Sequence, residues 1–77
     1  MEQLIKAIVT PLVDYPDDVR IETDEQSNRI VYKLFVHAND RGKVIGKHGR
    51  VAKAIRTVVY SAANSYQQKK TYVDILD

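Results

Sequence analysis

Val44-Ile45-Gly46-Lys47-His48-Gly49-Arg50 holds two of the chain's three glycines, and the third, Gly42, stands just before it. From Arg41 to Arg56 there is no acidic residue, whereas Arg41, Lys43, Lys47, Arg50, Lys53 and Arg56 are all basic. Gly46 and Gly49 lack a Cβ, so the backbone there can take positive φ and let another chain come close. Directly afterwards Val51, Ala54, Ile55, Val58, Val59, Ala62 and Tyr66 recur at helical spacing as far as about Gln67. The pattern predicts a tight turn opening a long helix, whose first N–H groups are unsatisfied and whose dipole favours negative charge. Arg50, in the first turn of that helix, gains nothing from the dipole, and an outside anion is the simpler reason for its presence. The turn reads as phosphate-facing.

Charge supports that reading when it is divided along the chain. The formal net charge is only +2, but residues 1–28 carry two basic and seven acidic residues, a net −5. Residues 29–70 carry ten basic residues and one acid, a net +9, and residues 71–77 add −2. A charged run alone describes any solvated face. A positive block coinciding with a glycine turn describes a surface for a polyanion.

Outward from the turn, the elements follow in order. Leu4, Ile5, Ile8, Val9, Leu12 and Val13 form a helical stripe that Pro11 tightens or kinks, ending by about Asp14. Tyr15-Pro16-Asp17-Asp18 is a turn. Val19, Ile21 and Thr23 alternate with polar residues as a strand with one buried face. After the polar Gln26-Ser27-Asn28, Ile30, Tyr32, Leu34 and Val36 alternate through a second strand that is apolar on both faces and therefore central. Asn39 or Asp40 is the expected N-cap of a short helix from about Asp40 to Ile45, which Gly46 ends. The polar loop Gln67-Gln68-Lys69-Lys70 precedes a last strand, Thr71 to Leu76. The order α-β-β-α-α-β lets the second and last strands pair in parallel across a two-helix crossover, with the first strand antiparallel on the other side. The expected fold class is α+β, a three-stranded mixed sheet with three helices on one face, in a single domain spanning 1–77.

Several chemistries fall away. A 77-residue domain buries only about 60% of its unfolded surface and has little room for a deep catalytic pocket. There is no cysteine for a disulfide or thiolate metal site, and His37 and His48 are too few to hold zinc alone. The longest apolar run, Leu4 to Val13, is broken by Lys6 and too short to span a bilayer, and no signal peptide is visible, which predicts a cytoplasmic protein. Neither G-x-x-x-x-G-K-[ST] nor G-x-G-x-x-G occurs. His48 has no nucleophile or orienting carboxylate near it in sequence, and His37 reads as an ordinary strand-end residue. The five tyrosines are spread over different elements and read mostly as core or rim. No catalytic residue, metal or cofactor is expected.

Ile45-Gly46-Lys47-His48-Gly49, preceded by a short helix and followed by Val51 and Ile55, resembles the hallmark turn of the K-homology (KH) domain in its type II arrangement. The likeness covers essentially the whole chain. Asp40-Arg41-Gly42-Lys43-Val44-Ile45-Gly46 is also similar to the D-x-G-x-V-I-G run of small single-domain bacterial KH proteins. The resemblance implies single-stranded RNA binding, with the turn clamping about four nucleotides of backbone. Gly46, Lys47, His48 and Gly49 would meet phosphates, Val44, Ile45, Val51 and Ile55 would form an apolar floor, and Lys43, Arg50 and Lys53 would flank it. It further implies an RNA chaperone or post-transcriptional regulator connected with cell elongation and envelope homeostasis, forming a homodimer or a complex with a larger Jag-like KH protein. The alternative is a protein-interaction module, for dimerisation or scaffolding, with weak or no RNA binding of its own, since one small groove gains from being linked to a second. Val58, Val59 and Ala62 are the candidate dimer contacts, because with Ala63 they make the stripe of the long helix wider than one packing seam needs.

Overall fold

The computed structural model describes residues 1–66 and 69–75; the expected loop residues Gln67 and Gln68 and the expected strand end Leu76 lie outside them. Helix α1 spans Glu2–Val9 and tightens at Pro11 into a 3-10 turn, Thr10–Leu12. A second 3-10 turn, Pro16–Asp18, leads into β1, Arg20–Glu25, and β2 follows over Arg29–Phe35. The Gln26 N–H donates to the Arg29 carbonyl (2.8 Å), closing the hairpin. Helix α2 is Arg41–Ile45, α3 is Arg50–Tyr66, and β3 is Lys70–Ile75.

The sheet order is β1-β2-β3, with β1 antiparallel and β3 parallel to the central strand. Leu34 therefore lies between Ile21 and Ile75, and Val31 between Asp24 and Tyr72. Alternation along β2 sends Ile30, Tyr32 and Leu34 into the core with Ile5 and Val9 of α1, Val44 of α2, Ile55 and Val59 of α3, and Val73 of β3. The three helices share that face. On the opposite face Arg20 lies over the Phe35 ring, 4.5 Å from its centroid.

Three expectations change. The buried face of the first strand holds only at its start: Val19 is buried and Ile21 half-buried, but Thr23 is exposed and bonds Glu2 of α1. Asp40 stands at the N-cap position of α2 but makes no side-chain capping bond. Its fully buried carboxylate instead accepts the Asp14 and Tyr15 N–H groups (3.1 and 3.0 Å), fastening the α1–β1 connection to the start of α2. Local sequence recommends Asp for a cap, but two long-range amide donors compete successfully for the same oxygens. His37 is likewise more than a strand-end residue. Its Nδ1 accepts the Asn39 N–H (3.0 Å), and its ring stacks on Tyr15 with centroids 4.0 Å apart.

Candidate nucleic-acid interface

The turn between α2 and α3 is built from backbone. Gly46 closes α2 by donating its N–H to the Gly42 carbonyl (2.8 Å), then takes φ +75°, ψ 172°, a region essentially reserved for glycine. Gly49 donates back to the Gly46 carbonyl (3.1 Å) with φ +74°. Between them His48 is left-handed as well (φ 58°, ψ 25°), a conformation for which histidine is among the more tolerant residues and which the sequence did not announce. A Cβ on Gly46 would lie 2.4 Å from Val51 Cγ2, so the chain entering the turn rests directly on the first turn of α3.

The charges around this turn are free to meet a ligand. Lys47, His48, Arg50 and Lys53 are exposed, and among the described residues no ion pair uses Lys47, Arg50 or Lys53. Lys43 differs, since its ammonium pairs with Asp14 and stands 3.7 Å from Asp40. The bond to Asp14 outweighs partial desolvation and holds the Lys43 pKa above its ordinary value. Burial opposes ionisation of Asp40, but the Asp14 and Tyr15 amides and the Lys43 charge prevail and hold its carboxyl below the usual value. The one acid in the positive block is thus hidden from solvent and internally matched, and does little to repel an anion at the turn.

The apolar residues separate by depth. Val44 and Ile55 are core residues, almost entirely out of reach of solvent, whereas Ile45 and Val51 are half-buried beside the turn. Val59 is also fully buried, while Val58 is 48% exposed and Ala62 half-buried. Val59 therefore supports the helix from within, and only Val58 and Ala62 of that trio reach the surface. Val58 and Val51 line, with Ala54 of α3, Ile8 of α1 and Leu12 of the turn that follows it, an open cleft of about 340 Å³ that is nearly all apolar.

An αββααβ chain with a three-stranded mixed sheet, helices on one face and a Gly-x-x-Gly turn between the second and third helices is a type II KH domain. The profile of the KhpA/KhpB KH domain matches residues 2–75, and the chain belongs to that family. It is 53% identical to the RNA-binding protein KhpA of Oceanobacillus iheyensis over 76 residues, 99% of this chain and 100% of the relative. Identity to the RNA-binding protein KhpA of Bacillus subtilis is 53% over 77 residues, all of this chain and 94% of that one. For that of Clostridium acetobutylicum it is 49% over 78 residues, 99% and 100% of the two chains. Among solved structures, Aquifex aeolicus Era bound to GDP and aluminium fluoride superposes with TM-score 0.73 at 15% identity, covering 95% of this chain and 28% of that one. Era in complex with a 16S ribosomal RNA segment gives TM-score 0.68 at 18% identity, with the same coverage. These two show a shared fold. The family is one of KH proteins, not of enzymes, and among the described residues no helix is long and apolar enough to cross a membrane.

Proposed function

We propose that this protein binds single-stranded RNA, with the Gly46–Gly49 turn seating the sugar-phosphate backbone against the start of α3. The observation that carries the reading is the left-handed turn ringed by the unpaired cations Lys47, Arg50 and Lys53. The name "RNA-binding protein KhpA" borne by relatives about half identical over their full length supports it. In this reading Lys47, His48 and the turn amides meet phosphates. Ile45 and Val51 touch the sugars or bases, Val44 and Ile55 hold that floor from beneath, and Arg50 and Lys53 flank it. Lys43 contributes less than its sequence position suggests, because Asp14 holds it. The test is fluorescence anisotropy with labelled single-stranded RNA. About three phosphate contacts give a slope of log K against log salt of roughly −2, and Lys47→Asp/His48→Asp should abolish binding. A flat salt response, or unchanged affinity in the double variant, refutes the reading.

A second reading, self-association, rests on the apolar cleft between α1 and α3, where Leu12 is 41% exposed beside Val58. Pairing there would couple two turns and raise avidity. Extended to the cell, the proposal is a cytoplasmic RNA chaperone or post-transcriptional regulator serving cell elongation and envelope homeostasis, with a larger Jag-like KH protein as partner. Support for that extension is the family resemblance alone. Recovering crosslinked RNA from cells carrying the intact and the two-aspartate turn tests it.

A further inference from the structure

The sheet has two outer edges, and they are not alike. At the hairpin the Gln26 N–H donates to the Arg29 carbonyl (2.8 Å), and in an antiparallel ladder such bonded pairs alternate with unbonded ones. Arg20, Glu22 and Asp24 therefore turn their backbone groups to β2, whereas Ile21, Thr23 and Glu25 turn theirs outward. Among the described residues nothing takes these outward groups. On the other edge the Lys70 N–H donates to the Asn28 carbonyl (3.3 Å), which sends the backbone groups of Thr71, Val73 and Ile75 outward. There the Val73 carbonyl accepts the Arg56 Nε–H (3.0 Å). One edge is thus capped by a side chain. The other is open along β1, in unbroken register and without a proline or bulge to blunt it.

The open edge also has a wall beside it. Glu2, Gln3 and Lys6 of α1 and Arg20 and Ile21 of β1 line a groove of about 340 Å³. The Thr23 hydroxyl donates to the Glu2 carboxylate, which holds the first turn of α1 against the strand. Alternation places the side chains of Ile21, Thr23 and Glu25 on the α1 side and those of Arg20, Glu22 and Asp24 on the outer side. Several of the charges are already matched, Arg20 with Glu22 (3.4 Å) and Lys69 with Glu25. Among the described residues no ion pair uses Glu2 or Asp24, nor Lys6 across the groove.

We infer that the β1 edge takes up an extended, basic segment of a partner protein as a fourth strand. The backbone of Ile21, Thr23 and Glu25 supplies the hydrogen bonds, in either strand direction. An apolar side chain of the segment enters the groove against the half-buried Ile21, and a lysine or arginine pairs with Asp24 on the outer face. In strand addition the main chain gives affinity and alternate side chains give specificity. A second copy of β1 is a worse occupant. In both antiparallel registers that bond the outward groups and overlap the strands most, Glu22 faces either itself or Asp24, and like charges directly opposite destabilise a ladder. The inference does not depend on the RNA reading, because this edge belongs to α1 and β1 and its unpaired carboxylates repel phosphate.

The experiment uses two labelled, end-capped peptides, Thr-Val-Lys-Val-Lys-Val-Thr and its counterpart with glutamate for lysine, about the length of a typical strand. Affinity is read by fluorescence anisotropy, and amide hydrogen exchange by nuclear magnetic resonance on the full chain. The expected result is that wild type binds the lysine peptide and not the glutamate one. With the lysine peptide at about ten times its Kd, exchange at Ile21, Thr23 and Glu25 should slow about tenfold, while Glu22 and Asp24, already bonded to β2, change little. That alternation is the signature of an added strand, and simple charge attraction does not produce it. Asp24→Lys should bind the lysine peptide about threefold or more weakly. Thr23→Pro removes an N–H that β2 does not use, which an edge strand tolerates, and should weaken the peptide about tenfold. Should Thr23→Pro fail to fold, Asp24→Lys and the exchange pattern of wild type still decide. No binding of the lysine peptide overturns the inference, as does equal binding of the glutamate peptide. Binding without alternating protection, or unchanged affinity in Asp24→Lys, overturns it too. Protection of the same three amides that rises with protein concentration alone would assign the edge to a second copy of this chain and overturn it as well.

Discussion

Gly46→Ala puts the construction of the turn to its most direct trial. Two costs add at this position. The backbone at φ +75°, ψ 172° lies where only glycine is comfortable, which costs an L-residue about 1–3 kcal/mol. The new methyl would sit 2.4 Å from Val51 Cγ2, 2.8 Å from Val51 N and 2.9 Å from Val51 Cβ. Two of those neighbours cannot rotate away, so α3 must shift or the turn must open, an overpacking cost of about 1–3 kcal/mol. Together they remove about 2–6 kcal/mol from a chain whose length suggests a total stability of about 4–12 kcal/mol.

The other two glycines supply internal controls. Gly49 shares the positive φ (+74°), but nothing lies within 4 Å of its would-be Cβ, so Gly49→Ala costs only backbone strain of about 1–2 kcal/mol, partly offset by a stiffer unfolded chain. Gly42 is inside α2 with open space around it, and Gly42→Ala should stabilise by about 0.5–1 kcal/mol. Urea titration followed by far-ultraviolet circular dichroism measures all three. If Gly46→Ala unfolds with the same free energy as Gly49→Ala, the contact with Val51 is not what holds the turn, and the steric reasoning fails.

Because folding lowers the Asp40 pKa, its carboxylate stabilises the native state above the unfolded value of about 3.9, and that contribution is lost as pH falls through the folded value. Asp40→Asn should therefore melt lower than wild type at neutral pH and show a flatter acid limb in melting temperature against pH. Lys43, whose pKa is raised, contributes below about 10.4 and loses that contribution as pH rises through its folded value, so Lys43→Met should flatten the alkaline limb. Val58→Lys should leave stability within about 0.5 kcal/mol while sedimentation shows loss of any self-association. Val59→Lys buries an unpaired charge and should cost about 3–5 kcal/mol, enough to unfold much of the protein in the same circular dichroism assay.

Periodicity located nearly everything that depends on neighbours in the chain. The stripe before Pro11, the alternation through Ile30, Tyr32 and Leu34, and the glycine stop after Ile45 each follow from a local rule, and each stands where it was expected. Depth was harder to read. The buried line of α3 is Ala52, Ile55, Val59 and Ala63, and Ala52 carries too little hydrophobic signal to mark the helix's inner face. The eye is drawn to the larger Val51 and Val58 on its flank. Asp40 shows the other limit, because a carboxylate at a capping position can be taken by amides 25 and 26 residues away, which no window of sequence reveals. His48 at φ 58° belongs to the same class, its conformation imposed by the closure of the turn on both sides.

The placement of side chains around α3 bears on whether RNA and a protein partner compete. At about 100° per residue, Arg56 on the β3 side and Val58 on the α1 side point about 200° apart, so Arg56 and the apolar cleft occupy opposite flanks of one helix. A second chain seated on Ile8, Leu12 and Val58 leaves Lys53 and Arg56 uncovered. Arg50 is the exception, because it borders the turn and also lines the apolar cleft. Burying it beneath a partner would remove one phosphate contact, a change of about 0.7 in the salt slope per site. Linking two turns raises the effective concentration of the second into the millimolar range, a far larger gain. Self-association should therefore strengthen binding to long RNA while lowering its salt dependence per site, whereas true competition would weaken binding as protein concentration rises.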